Sequence, residues 1–177
     1  IALETAIFLN LDGGDYPVAH QSTATERAIV IAASLAAHLV EKRQAVGLVT
    51  NGRDPLAADA PVTTPTLPLR KGRDHLMHLL DLLARIEAAA EGKALPFLET
   101  VSRESVGLPW GSTAVLITAQ PVEGLFDSLL ALRRRGLGVI LVMTCPGRDV
   151  SLTIRRAEQI EVQAYCIESE RDMDGWR

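Results

Sequence analysis

Apolar positions along the chain fall into short continuous runs separated by longer stretches of helical spacing. Residues 5–11 form the first run and lead into a short acidic, glycine-bearing loop; residues 4–16 read ETAIFLNLDGGDY. A short apolar run that ends in turn residues predicts a buried strand. Thr23 with Glu26 three residues later predicts a capping box, and a helix running to about Lys42. Residues 28–40 are apolar almost all round, which predicts a helix covered on both sides. Residues 45–51, AVGLVTN, predict a second buried strand, parallel to the first.

Residues 53–69 carry prolines at 55, 61, 65 and 68. Proline removes a ladder donor, so any strand here belongs at an edge. The alternating piece 61–67 is expected to be a short antiparallel edge strand. Over residues 73–90, Leu76, Leu79, Leu80, Leu83 and Ile86 make one stripe at helical spacing, and Gly92 ends it. A short helix follows at 96–105, then a buried strand at 114–118, AVLIT. Pro121 starts a helix that runs to Arg135. A strand at 138–144, a turn at Pro146-Gly147, a helix at 151–160 and a last strand at 162–167 complete the pattern. A charged tail closes near Trp176. Strands and helices that alternate, with continuous rather than alternating strands, imply a doubly wound α/β domain. The expected sheet has about six strands, mainly parallel with one antiparallel edge strand, in a single domain over residues 1–177.

Composition changes this picture little. Hydrophobic residues make up 47% and charged residues 23%, which sets a packed core against disorder. The formal net charge is −4, and the one tight basic run, Arg133 to Arg135 before Gly136, suits a helix C-terminus. No nucleic-acid face is therefore expected. Cys145 and Cys166 lie in or beside apolar runs without metal-ligand spacing. The apolar run 28–40 is shorter than the roughly 20 residues of a membrane span, so no membrane contact by this segment itself is expected. The chain begins at Ile1 rather than methionine, and a piece of a longer protein is expected.

Candidate chemistry centres on the loop after the first strand, because ligands of open α/β sheets sit outside the carboxyl ends of strands. Asp12 and Asp15 are the candidate ligands for a hard cation such as Mg²⁺, with Thr118 or Gln120 contributed by a neighbouring strand end. The competing reading is a plain turn, for which Asp and Gly are standard chemistry. The loop also resembles the nucleophile loop of haloacid dehalogenase-like phosphatases, in Asn10-Leu11-Asp12-Gly13-Gly14. At the nucleophile position, however, Asn10 cannot form an aspartyl-phosphate. The alternative function is accordingly a metal-dependent, phosphatase-like hydrolase using Asp12 and Asp15. His75 and His78 lie three apart on a helix but lack a third ligand nearby. His38 is expected to be partly buried, and Trp110 to anchor beneath the sheet.

The order of IFLNLD, ERAIVIAASLAAHLVEK, VGLVTNG, LPLRKGRDHLMHLLDLLARI, LPWGSTAVLIT and LLALRRRGLGVILV resembles a von Willebrand factor A-like domain. More specifically it is similar to the carboxyl-terminal part of the bacterial domain-of-unknown-function family fifty-eight. The resemblance implies the fold and a metal-ion-dependent adhesion motif after the first strand. That motif falls on Asn10, Asp12 and Gly14, its second-loop threonine near Gly72, and its last aspartate at Ala119. Only Asp12 is acidic, so the resemblance implies a degenerate site with no bound cofactor. It also implies a non-catalytic interaction or scaffolding role, a MoxR-type AAA+ ATPase as partner, and a membrane-associated parent with this domain on the cytoplasmic side. Asn10, Asp12, Asp15, Asn51, Thr118 and Gln120 are then expected to rim the binding face.

Overall fold

The computed structural model describes residues 4–57, 64–145, 147, 149–169 and 172. In chain order the elements are β1 (Glu4–Leu9), α1 (Gln21–Glu41), β2 (Ala45–Thr50), β3 (Thr66–Arg70) and α2 (Arg73–Arg85). They continue with α3 (Phe97–Glu104), β4 (Thr113–Thr118), α4 (Leu125–Arg134), β5 (Gly138–Met143), α5 (Val150–Gln159) and β6 (Gln163–Cys166). The strands make one six-stranded sheet in the order β3-β2-β1-β4-β5-β6. Every neighbouring pair is parallel except β2 with β3. The doubly wound α/β fold expected from the alternation is the one present. Strand order reverses between β1 and β4, so the crevice lies over the carboxyl ends of those two strands.

Side-chain alternation along the strands divides the core in two. Ile7, Leu9, Val46, Leu48, Val115 and Ile117 pack beneath α1 and α2. Ala6, Phe8, Leu116 and Leu141 face the opposite way, against Phe97 and Val101 of α3, Leu125 and Leu129 of α4, and Ala157 of α5. β1 lies between β2 and β4, and Ile7, Phe8 and Leu9 are fully buried. Taking three such side chains out of water stabilises the fold by about 1.5–3 kcal/mol each.

Several sequence expectations shift. α1 starts at Gln21 out of a short turn, Val18–His20, and its N-cap His20 makes no side-chain cap. Thr23 is an exposed residue inside the helix, so the capping box does not form. α1 is covered on one side only: Val30, Ser34 and His38 recur at four-residue spacing along its solvent face, which leaves His38 exposed. By length and composition the 24-residue stretch Val18–Glu41 would pass for a membrane span. In this structure Ala28, Ile31, Ala32 and Ala36 on its inner stripe are core residues.

β3 runs over Thr66–Arg70, later than expected; residues 61–63 of the expected strand lie outside the described residues, as do Pro146 and Trp176. Pro68 is tolerated because this is the edge strand. Helix α2 stops at Arg85, and Ile86 is extended, although Ile86 is still buried in the cluster that α2 faces. A helical stripe and an extended exit both bury that position, so spacing alone misplaced the helix end. α4 begins at Leu125, after Gly124 at φ +78, rather than at Pro121. Trp110 is 85% exposed rather than an anchor beneath the sheet; its ring lies over Gly136, where an added Cβ would sit 2.1 Å from the indole nitrogen. His75 is buried, with Nε2 2.8 Å from the Val46 carbonyl, whereas His78 is exposed. The arginine run closes α4 as its composition suggested. Arg133 Nη1 donates to the Leu137 carbonyl, Arg135 donates to the Oγ and carbonyl of Ser105, and Gly136 takes φ +83.

Candidate functional site

β1 ends at Leu9, and the chain then enters the loop over the switch point. Asn10 is fully buried there, because the ladder continues one step further: its amide N–H donates to the Ile117 carbonyl at 2.9 Å. Its side chain is satisfied at every position. Nδ2 donates to Asp15 Oδ2 at 2.8 Å and to Thr118 Oγ1 at 3.0 Å. Oδ1 accepts from the Asp12 amide and from Asn51 Nδ2, each at 3.1 Å. An asparagine amide offers two donor hydrogens and two acceptor lone pairs, and all four are used. The opposite amide orientation would set Oδ1 against the Asp15 carboxylate and Nδ2 against the Asp12 N–H.

Asn51, just past β2, extends the network. Its Oδ1 accepts from the Leu11 amide at 2.7 Å, and its Nδ2 also donates to the Leu95 carbonyl at 3.0 Å. Tyr16 closes the loop from the other end, donating its hydroxyl to the Asn10 carbonyl at 2.6 Å. Burial, and then the nearby Asp15 and Cys145, push the Tyr16 pKa well above its ordinary value. Asp12 caps the turn, with Oδ1 accepting from the Gly14 amide at 3.0 Å. Asp15 has a raised pKa, chiefly from burial. The Asn10 donation pulls it back down, and Asp12 pushes it up further.

The sequence-predicted residues therefore separate by depth. Asn10, Asn51 and Thr118 are buried, while Asp12, Asp15 and Gln120 are partly exposed. The three buried side chains hold the loop from within rather than rim a face. Strand alternation explains the placement: Asn10, Asn51 and Thr118 all follow the side of the sheet that carries α3 and α4. Gln120 borders a groove of about 320 Å³ with Phe126, Leu152 and Arg156, where the Arg156 guanidinium stacks 4.1 Å from the Phe126 ring centroid.

Periodicity hid one partner of the loop. Residues 86–90 leave α2 in extended form and cross the carboxyl edge of the sheet. Glu87 exchanges backbone hydrogen bonds with Arg53 at 2.8 and 2.9 Å. Ala89 donates to the Leu11 carbonyl and accepts from Gly13, each at 2.9 Å. The approach is close: a Cβ on Gly13 would fall 2.7 Å from the Ala89 carbonyl and 2.4 Å from Gln21 Nε2. Gly72, where the resemblance put a second-loop threonine, follows antiparallel β3 down to the amino-terminal edge of the sheet, far from this loop. Ala119 lies at the end of β4, fully buried against Tyr16 and Ala24. Among the described residues, no group of three or more His, Cys, Asp or Glu side chains is placed to hold a metal ion.

Solved structures with this architecture include von Willebrand factor A domains. The chain is similar to the VWA domain of SpRpn10 (TM-score 0.58, 11% identity, 94% of this chain and 88% of that one). It is similar to an aerotolerance-related membrane protein from Bacteroides fragilis NCTC 9343 (TM-score 0.62, 12% identity, 98% and 94%). It is also similar to the open conformation of the pilus adhesin SpaC from Lactobacillus rhamnosus GG (TM-score 0.64, 8% identity, 99% of this chain). The chain spans 29% of that adhesin's length. No protein-family profile matches the sequence, and no curated protein matches it. These likenesses define the class by fold: an α/β domain of the von Willebrand factor A type.

Proposed function

We propose that this is a non-catalytic protein-interaction or scaffolding domain whose adhesion-type metal site has degenerated into a self-closing loop. The observation that carries the reading is the Asn10 side chain, whose four hydrogen-bonding positions are all taken by protein. A hard divalent cation requires several oxygen ligands, usually including carboxylates. Here a donor nitrogen points at Asp15 and Thr118, the two oxygens that would otherwise join Asp12 around an ion. Gly14 brings no hydroxyl, and Ala119 brings no carboxylate. The donor set does not fit Mg²⁺, and the amide does the closing instead.

The interaction face on this reading is the exposed part of the carboxyl edge: Asp12, Gly14, Asp15 and Gln120, with the groove beside Gln120. From the sequence resemblance to domain-of-unknown-function family fifty-eight we further infer a partner class, a MoxR-type AAA+ ATPase. On the same resemblance, the domain would work on the cytoplasmic side of a membrane-associated parent. The test is surface plasmon resonance of the purified chain against such an ATPase, in EDTA and in Mg²⁺. Binding that is equal in both conditions, and weakened by the Asp12→Ala/Asp15→Ala pair, supports the reading. Binding that requires the metal, or metal-dependent turnover of a generic phosphoester lost in the same pair, overturns it.

A further inference from the structure

The amino-terminal edge of the sheet, opposite the Asp12 loop, carries exposed apolar side chains between two groups of cations. In the loop that leads into β4, Val106 is 72% exposed and Trp110 is 85% exposed, and Pro109 is exposed beside them. The loop is pinned from behind, so this apolar tip is held outward. The Gly111 amide donates to the Gly136 carbonyl at 3.0 Å, and the Gly138 amide donates to the Ser112 carbonyl at 2.9 Å. Arg135 holds Ser105 at the start of the same loop.

The neighbouring turns supply the charge. Arg70 and Lys71 end β3, Arg73 opens α2, Lys42 and Arg43 join α1 to β2, and Arg134 ends α4. All six are exposed, and among the described residues none is in an ion pair. Neighbouring strands lie about 4.8 Å apart, which puts the turns of β2 and β3 roughly 10–15 Å from the loop before β4, with the exit of α4 on its other side. The acids of this edge are fewer or already taken. Glu104 and Glu161 pair with Arg103 and Arg133, which leaves Glu4, Glu41, Asp74 and Glu158. The carboxyl-terminal edge has the opposite sign. Asp12, Asp15, Glu91, Glu123, Asp149 and Glu168 stand there outside any ion pair, against Arg27 and Lys93. Charge is therefore separated along the strand direction.

We propose that the amino-terminal edge docks on an anionic lipid bilayer, with Trp110 and Val106 seated among the headgroups and the six cations set against the surface charge. Tryptophan suits the membrane–water interface because its ring is an apolar body with a polar N–H. Each Lys or Arg near an anionic surface adds to the attraction. A nucleic-acid backbone would answer the cations but give Val106 and Pro109 no apolar contact, which favours the bilayer. The same surface repels the acidic carboxyl edge, so the domain stands with the Asp12 loop facing away from the lipid. The contact stays in the headgroup layer. It departs from the absence of membrane contact expected from residues 28–40, yet leaves α1 in the core.

The test is co-sedimentation of the full chain with two kinds of vesicle, pure phosphatidylcholine and one part phosphatidylserine to two parts phosphatidylcholine, at low and at high salt. The expected result is binding to the phosphatidylserine vesicles alone, half-saturated at lipid concentrations on the order of 0.1–1 mM and lost at high salt. Lys71→Glu weakens binding roughly tenfold or more, because an attracted charge becomes a repelled one. Lys93→Glu makes the same change in net charge at the opposite edge and leaves binding within about twofold. Trp110→Ala weakens binding roughly threefold or more, and removes most of the quenching of indole emission by brominated lipid. The Asp12→Ala/Asp15→Ala pair binds vesicles at least as well as the parent, which separates this face from the interaction reading of the Asp12 loop. The proposal is overturned by no binding to phosphatidylserine vesicles, by equal losses in Lys71→Glu and Lys93→Glu, or by normal binding of Trp110→Ala. Duplex DNA bound more tightly than the vesicles at the same salt would also overturn it.

Discussion

Replacing Asn10 with aspartate changes one NH₂ for an oxygen and reverses the role of the position. Nδ2 now donates to Asp15 Oδ2 at 2.8 Å and to Thr118 Oγ1 at 3.0 Å. In Asn10→Asp the Thr118 hydroxyl can turn and donate, but two carboxylate oxygens come to stand about where the first bond was. Two unit charges about 3 Å apart repel by roughly 5–6 kcal/mol at an effective dielectric of about 20. Solvent at the half-exposed Asp15 screens this, and a proton can remove it. Taking up that proton at pH 7, with a carboxyl pKa of about 4, costs about 1.4 kcal/mol per unit, so about 4 kcal/mol sets the ceiling. We expect Asn10→Asp to lose about 2–4 kcal/mol at pH 7 by urea unfolding, a large part of a typical domain's stability.

The sign follows from linkage. The carboxyl pair holds a proton more tightly in the folded state, so its folded pKa is raised. Stability is then retained below the unfolded pKa and lost as pH rises through the folded one. The deficit should therefore shrink steadily between pH 7 and pH 4.5. An Asn10→Asp variant as stable as the parent at pH 7, or one whose deficit does not fade on acidification, would refute the amide-hub account.

Asp15 itself carries the same sign in the parent chain. Its pKa is raised chiefly by burial, so its contribution is greatest in acid and falls as pH rises through the raised value. Asp15→Asn keeps an acceptor for Asn10, and should flatten that slope in urea midpoints measured from pH 4 to pH 7. Gly136→Ala forces a side chain onto φ +83 and into the Trp110 ring, and should cost more than about 1 kcal/mol. In the Trp110→Ala background the steric part disappears, so a double-mutant cycle should show a smaller cost for the same change. His75→Phe leaves the buried Val46 carbonyl without its side-chain donor, and should destabilise by about 1–3 kcal/mol in thermal or urea unfolding.

The layered fold was legible because β1, β2, β4 and β5 are continuous apolar runs, and burial on both faces of a parallel sheet demands that pattern. Asn10, Asp12, Asp15, Asn51 and Thr118 were legible as a group because each stands at or just beyond a strand end over the switch point. Their depths were not. Whether Asn51 faces solvent or the Leu11 amide depends on the register between β1 and β2, which no local spacing records. Residues 86–90 were hidden for a related reason. Ile86 continues the stripe of α2, and what ends the helix is backbone pairing with Arg53, Leu11 and Gly13, contacts 34 to 78 positions away in sequence. Trp110 misled by composition: a large aromatic normally seeks the core, but this one lies over Gly136 with most of its surface exposed.

The most direct measurement is a calorimetric titration of the unmodified chain with Mg²⁺, Mn²⁺ and Ca²⁺, read alongside the amide spectra of residues 10–16. A loop closed by the Asn10 amide predicts no saturable heat for any of the three ions and no shift of the Asp12, Gly14 or Asp15 signals. Micromolar binding of any one of them, abolished by Asp12→Ala, would contradict it.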